Sequence, residues 1–233
     1  MINEGATGEG SENSGDYRCG YVALVGRPNV GKSTLMNRML GQKLSIVTAK
    51  PQTTRQRIAG IKTTDQGQII YIDTPGIHLA ARSALNRYMN RIAHASFHEV
   101  DLIQFLVEAG RWTRQDEHVA RALESVNAPV WLVVNKIDLL PDKSKLLNFL
   151  ENEVKTDRFA RVFLVAAKSG DGVEALENEV LSALPFSRPF YDEDQFTDRS
   201  ERFLAAELIR EQLMLRLHQE LPYSLTVEIE EFK

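Results

Sequence analysis

A chain of 233 residues, 43% hydrophobic and 26% charged, is long enough to enclose a sizeable core and suggests one or two domains. Its net charge of −4 gives no global reason to expect nucleic-acid binding, so such a role needs a local patch. Cys19 is the only cysteine, which excludes an intramolecular disulfide; no apolar run approaches the roughly 18 residues that span a bilayer, and no basic-then-apolar leader opens the chain, so the cytoplasm is the expected compartment.

Residues 1–16 are rich in Gly, Glu, Ser and Asn, hold Ile2 as their one large aliphatic residue, and read as a disordered tail, because they bury too little apolar surface to offset ordering. Apolar runs then alternate with helical patterns. Tyr21 to Val25, Ile69 to Ile72, Leu102 to Val107, Val130 to Val134 and Val162 to Ala166 are expected strands. Lys32 to Leu40, Ala84 to His98, Arg114 to Val126, Lys143 to Lys155 and Val173 to Leu184 are expected helices. The runs are mostly continuous rather than alternating, as in strands buried on both faces. The expected fold is therefore α/β, a mostly parallel, doubly wound sheet over residues 17–184, with ligands at the carboxyl ends of its strands.

Beyond it, Pro185 to Asp194 carries two prolines, aromatics and acids, and residues 185–197 read as a linker. Residues 198–233 open with Asp198 and Glu201, an N-cap signature for a helix running to about Gln219. Phe203, Leu204, Ile209, Leu213 and Leu217 would form its apolar stripe, and Leu225, Val227 and Ile229 alternate with polar residues as a half-buried strand. One helix and one strand cannot enclose a core of their own, so this α+β segment is expected to be incomplete.

Three motifs fall at expected strand ends. Gly26-Arg27-Pro28-Asn29-Val30-Gly31-Lys32-Ser33, followed by Thr34, fits G-x-x-x-x-G-K-[ST] between a strand and a helix. Backbone N–H groups of such a loop wrap phosphates at a helix N-terminus, Lys32 would neutralise the outer phosphates, and Ser33 would ligate Mg²⁺; a plain glycine turn is the alternative. Asp73-Thr74-Pro75-Gly76 offers a carboxylate for Mg²⁺ and a glycine N–H for the γ-phosphate, where alone it would be a simple turn. Asn135-Lys136-Ile137-Asp138 offers a carboxylate that accepts from the adjacent ring N–H and amino group of guanine and repels adenine, which argues against a kinase or ATPase. Asn135 can bridge base and phosphate loop, and the Lys136 stem can lie over the ring. In this order the motifs imply a site for GTP or GDP with Mg²⁺.

The same order resembles the translation-factor-related GTPases. The run from Gly26 through Leu35-Met36-Asn37, then Gln52-Thr53-Thr54-Arg55, then Asp73 to Gly76, is similar to the bacterial Era-type GTPases. Thr197-Asp198-Arg199-Ser200 to Phe203, Leu221-Pro222-Tyr223-Ser224 and Val227-Glu228-Ile229 resemble the opening of their KH-type RNA-binding domain. The resemblance implies GTP hydrolysis, a role in assembly of the small ribosomal subunit through its ribosomal RNA, a monomer, and peripheral contact with the inner membrane. It assigns the switch threonine that ligates Mg²⁺ to Gln52 to Arg55, with Thr54 favoured over Thr53, and the guanine-carbonyl loop to Ala166-Ala167-Lys168. Ala166 stands where the pattern has serine, which is expected to affect loop rigidity more than base binding.

The resemblance also implies that Lys32, Thr54, Asp73, Gly76 and Asn29 act in catalysis. Ile77 follows Gly76 where Ras-like proteins have a water-orienting glutamine. Asn29 either coordinates a potassium ion placed where an arginine finger would act, or bonds its own backbone. The alternative to an enzyme is a nucleotide-regulated binding module with negligible hydrolysis, which Ile77 favours. No G-x-x-G follows Phe196, and Arg199, Arg202, Arg210 and Arg216 are offset by Glu201, Glu207, Glu211 and Glu220. The 233-residue chain is therefore expected to bind ribosomal RNA weakly and to be proteolytically soft beyond Pro185. The five histidines, Trp112 and Trp131 read as surface and packing residues.

Overall fold

The computed structural model describes residues 16–48, 53–76, 99–140, 142, 144–217 and 225–231. Six strands form one sheet in the order β2-β3-β1-β4-β5-β6. They are β1 (Arg18–Val25), β2 (Ile58–Thr64), β3 (Gly67–Asp73), β4 (Leu102–Glu108), β5 (Val130–Asn135) and β6 (Arg161–Leu164). Only β2 runs antiparallel to its neighbour. The continuous apolar runs have the expected cause: Val22 and Leu24 of β1 face one core cluster, while Ala23 and Val25 face another. Helices α1 (Lys32–Leu40) and α4 (Val173–Ala183) supply the first cluster; α2 (Arg114–Leu123) and α3 (Ser144–Phe149) supply the second. Register brings Leu24 opposite Asp73 and Glu108 opposite Asn135, so the three motifs meet along one edge of the sheet.

Two sequence expectations change. Strand β2 was not foreseen. Lys62 and Thr63 are only partly buried, Thr64 is exposed, and Gly60 interrupts the apolar pattern, so the strand state comes from pairing with β3 across the Asp65–Gln66 turn. The helix expected over 143–155 is a short α-helix followed by a wider turn, Leu150–Val154, that ends where Lys155 takes φ 54°. The helix expected over Ala84 to His98, and Ile77, lie outside the described residues.

Residues 185–197 are laid as a strap along the sheet. Phe186 bridges Arg18, Thr197 bridges Gly60, and Ile61 N–H donates to Phe196 O at 2.9 Å. Tyr21 and Phe190 stack with centroids 5.5 Å apart. The anchor is Gln68, fully buried in β3: its Oε1 accepts from Phe190 N at 2.9 Å and Tyr191 N at 3.0 Å, and its Nε2 donates to Tyr191 O at 2.9 Å. Gln68→Met would keep the volume but break three part-buried hydrogen bonds, at roughly 0.5–1.5 kcal/mol each. Chymotrypsin cleavage after Phe190 or Tyr191 should therefore be slow in the parent and at least about tenfold faster in Gln68→Met. Equal rates would mean that the strap opens without breaking these bonds.

The C-terminal helix α5 (Glu201–Arg216) starts one cap later than the sequence suggests. Ser200 is the N-cap, its hydroxyl accepting from Phe203 N at 3.3 Å, because Asp198 is engaged with the sheet edge, accepting from Ala59 N at 3.3 Å. The expected apolar stripe is only half buried: Phe203 and Leu204 pack on the core, but Ile209 and Leu217 are exposed. The buried face continues instead through Arg210, Glu211 and Met214. Pairing makes burial of those charges tolerable. Arg210 Nη2 donates to Thr53 O and to Glu207 Oε2, both at 2.6 Å; Glu211 accepts from Val47 N at 2.9 Å and pairs with Lys43. The strand expected from Leu225 is absent, since no ladder partner lies beside it among the described residues. Leu225 O accepts from Arg55 Nη1 at 2.8 Å instead.

Candidate nucleotide-binding site

Between β1 and α1 the chain turns through Gly26 (φ +152°), Asn29 (φ +65°) and Gly31 (φ +103°). A Cβ on Gly26 would stand 2.5 Å from Leu106 O, so glycine is required for the close approach of the loop to β4. No side chain caps α1, whose first N–H groups point into a cavity of about 330 Å³ lined by Asn29, Gly31 to Thr34, Thr53, Thr54, Gly76 and Lys136.

Lys32 is buried, with Nζ donating at 3.1 Å to the carbonyls of Gly26 and Arg27. Burial pulls its ammonium down to about 8, against the attraction of the Asp73 carboxylate. The Asp73 carboxyl is raised above its usual range by burial, against Lys32, Ser33 and Thr54. Both shifts describe charges short of partners, a cation suited to an anionic ligand and an anion suited to a cation. Asp73 Oδ2 accepts from Ser33 Oγ at 2.6 Å and Thr54 Oγ1 at 3.2 Å, and the two hydroxyls are 3.1 Å apart. Asp73 Oδ1 is buried with no partner among the described residues. Three hard oxygens with an orphaned carboxylate oxygen fit a divalent cation such as Mg²⁺. Thr53 does not join them; its hydroxyl meets Thr48 Oγ1 at 2.7 Å. Thr74 Oγ1 donates to Leu24 O at 2.7 Å, and Gly76 packs so closely that a Cβ would lie 2.8 Å from Pro28 N.

At the end of β5, Asn135 Nδ2 donates to Val30 O at 2.8 Å, while its Oδ1 accepts from Lys136 N at 2.8 Å and Ala167 N at 2.9 Å. One side chain thus joins the phosphate loop, the Lys136 turn (φ +66°) and the 166–168 loop. Asp138 follows on a single 3₁₀ turn with its carboxylate exposed.

Several residues that build this site have no motif to reveal them. Arg27, expected among the ligand contacts, turns its side chain away to Glu108 (2.8 Å) and Asp116 (3.1 Å), leaving only its main chain to the loop. Glu108 also meets Lys136 at 3.6 Å. Burial alone would raise the Glu108 carboxyl, but Arg27 and Lys136 hold it below the usual carboxylate range. Asp116 also closes a capping box with Thr113 at the start of α2, a T-x-x-D spacing that was visible in the sequence.

A family described as 50S ribosome-binding GTPase matches residues 21–136. GTPase Era of Pseudomonas aeruginosa is 52% identical over 216 residues, 93% of this chain and 71% of that protein. GTPase Era of Pseudomonas syringae is 53% identical over the same share of this chain and 72% of its own length. Among solved structures, Era in complex with MgGDPNP and nucleotides 1506–1542 of 16S ribosomal RNA superposes with a TM-score of 0.83 at 37% identity, over 89% of this chain and 70% of that one. A variant of Aquifex aeolicus Era bound to GDP·AlF4⁻ gives 0.84 at 38%, with the same coverage.

Proposed function

The chain belongs to the Era family of GTPases, and from that premise we propose that it hydrolyses GTP as a switch in small ribosomal subunit assembly, acting on ribosomal RNA. The observation that carries the reading is the meeting of Ser33, Thr54 and Asp73 beside a glycine-framed cavity, in a chain more than half identical to named Era proteins. The amides of Gly26 to Thr34 would cradle the phosphates with Lys32, and Thr74 to Ile77 would approach the γ-phosphate. Mg²⁺ would be held by Ser33, Thr54 and Asp73, where it supplies charge neutralisation between the phosphates. Asn135, Lys136, Asp138 and the loop Ala166-Ala167-Lys168 would receive the base.

The matching family is described by the 50S subunit, but it covers only residues 21–136. The Era complex spans far more of the chain and holds 16S RNA, which favours the small subunit. Of the arginines in and just before α5, Arg210 is bound to Thr53 O and Glu207, Arg199 to Arg57 O and Asp198, and Arg202 to Glu230 O. Arg210 and Arg199, already paired with carboxylates, would release few counterions from RNA. The same reading includes a monomer and a peripheral membrane contact, both from the resemblance; among the described residues no helix is long and apolar enough to cross a membrane. Co-sedimentation of the gene product with purified small subunits is the test. More protein should pellet with a non-hydrolysable GTP analogue than with GDP, and none pelleting in either state refutes the assembly role.

Asn29 lines the cavity, at positive φ. As a potassium ligand it would place a monovalent charge against the phosphates. Turnover should then be about tenfold faster in potassium than in sodium, a gain that Asn29→Ala removes. Equal rates in the two salts assign Asn29 to backbone bonding alone.

A further inference from the structure

The loop over residues 166–170 has alanine where a serine hydroxyl would brace it, yet it is held from two sides. On the inner side Asn135 Oδ1 accepts from Ala167 N at 2.9 Å. Within the loop, Gly170 N donates to Ala166 O at 2.8 Å and Ala166 N to Asp171 O at 2.9 Å. On the outer side stands Arg38, in the last turn of α1, 129 residues away in sequence: its Nε donates to Ala167 O at 3.2 Å and its Nη2 donates to Lys168 O. A planar guanidinium holds the two carbonyls from two separate nitrogens in a fixed fork, a geometry that a single ammonium nitrogen does not reproduce. The loop therefore hangs from the same helix whose N-terminus faces the phosphates.

We propose that Arg38 is a positioning residue for base selection. By fixing the carbonyls of Ala167 and Lys168 it orients the amides of that loop toward the 6-carbonyl of the purine, and so strengthens the preference for guanine. This rests on the reading of residues 166–168 as the loop that receives the base. Asp138 accepts from the other edge of the ring and is untouched by Arg38, so the two contributions separate by choice of ligand.

The probes are GDP and 6-thio-GDP, which keeps the N1–H and 2-amino groups but carries sulfur, a weaker acceptor, at C6. The parent chain should bind GDP more tightly. Arg38→Ala should weaken GDP about tenfold and leave 6-thio-GDP within about twofold, erasing most of the difference between them. Arg38→Lys, with a single ammonium, should recover only part of the loss. Unchanged 6-thio-GDP binding shows that the variant is folded and its phosphate loop intact. Equal weakening of both ligands, or none of GDP, overturns the proposal by making Arg38 a brace for α1 alone. If the parent itself binds the two ligands alike, the loop does not read C6, and both the proposal and the reading beneath it fall.

Discussion

Asp138→Asn is expected to turn the site from guanine to xanthine, with GDP affinity falling by about 10⁴ and XDP taking its place as the tighter ligand. Guanine offers N1–H and the 2-amino group side by side, and a carboxylate accepts from both. Xanthine keeps N1–H but has a carbonyl at C2, to which an amide N–H can donate while its oxygen accepts from N1–H. The frame that aims this side chain does not depend on its charge. Lys136 sits at φ +66°, Leu139 N donates to Lys136 O at 3.0 Å, and Ile137 N donates to Val165 O at 3.3 Å. Asparagine has the same shape and leaves those bonds in place, so the melting temperature should not move. Competition titration with GDP and XDP is decisive: tight GDP binding without any gain for XDP removes Asp138 from base reading.

What could be read from the sequence follows from where each residue's partners lie. The phosphate loop was legible because the chemistry dictates residue types at fixed spacing, and the parallel strands because burial of both faces leaves no polar position. Spacing does not distinguish Thr54 from Thr53; in the fold the Thr54 hydroxyl reaches Ser33 and Asp73, while the Thr53 hydroxyl meets Thr48. Arg27, Glu108, Arg38 and Glu211 take their roles chiefly from partners 81 to 168 residues away, and nothing local marks them. On α5 the helical spacing of Phe203, Glu207, Arg210, Glu211 and Met214 is present in the sequence, but charged residues occupy it, so it does not read as an apolar stripe. A buried helix face can be charged when every charge has a partner, as Arg210 has in Thr53 O and Glu207. The linker reading of 185–197 failed to foresee the strap for a related reason, since Gln68, its anchor, looks like any polar strand residue until its amide is seen bonded to Phe190 and Tyr191.

Gly31→Ala should abolish nucleotide binding in practice, lowering affinity by about 10³ or more, while leaving the sheet intact. Gly31 is where the phosphate loop touches the base motif. At φ +103° an L-residue is strained by roughly 1–3 kcal/mol, and the new Cβ would stand 2.3 Å from Asn135 Nδ2. Either the start of α1 shifts away from the phosphates or Asn135 turns aside. If Asn135 turns, it loses its bonds to Val30 O, Lys136 N and Ala167 N, at about 1 kcal/mol each, and the base loops lose their common tether. A double-mutant cycle with Asn135→Ala separates the two causes, because that change deletes the amide the methyl would strike. Each single variant should bind GDP far more weakly than the parent. In the Asn135→Ala background, however, Gly31→Ala should cost only its backbone strain, so the double variant is less impaired than the sum of the singles. Full additivity would mean that the collision with Asn135 contributes nothing and that the left-handed backbone at Gly31 alone carries the loss.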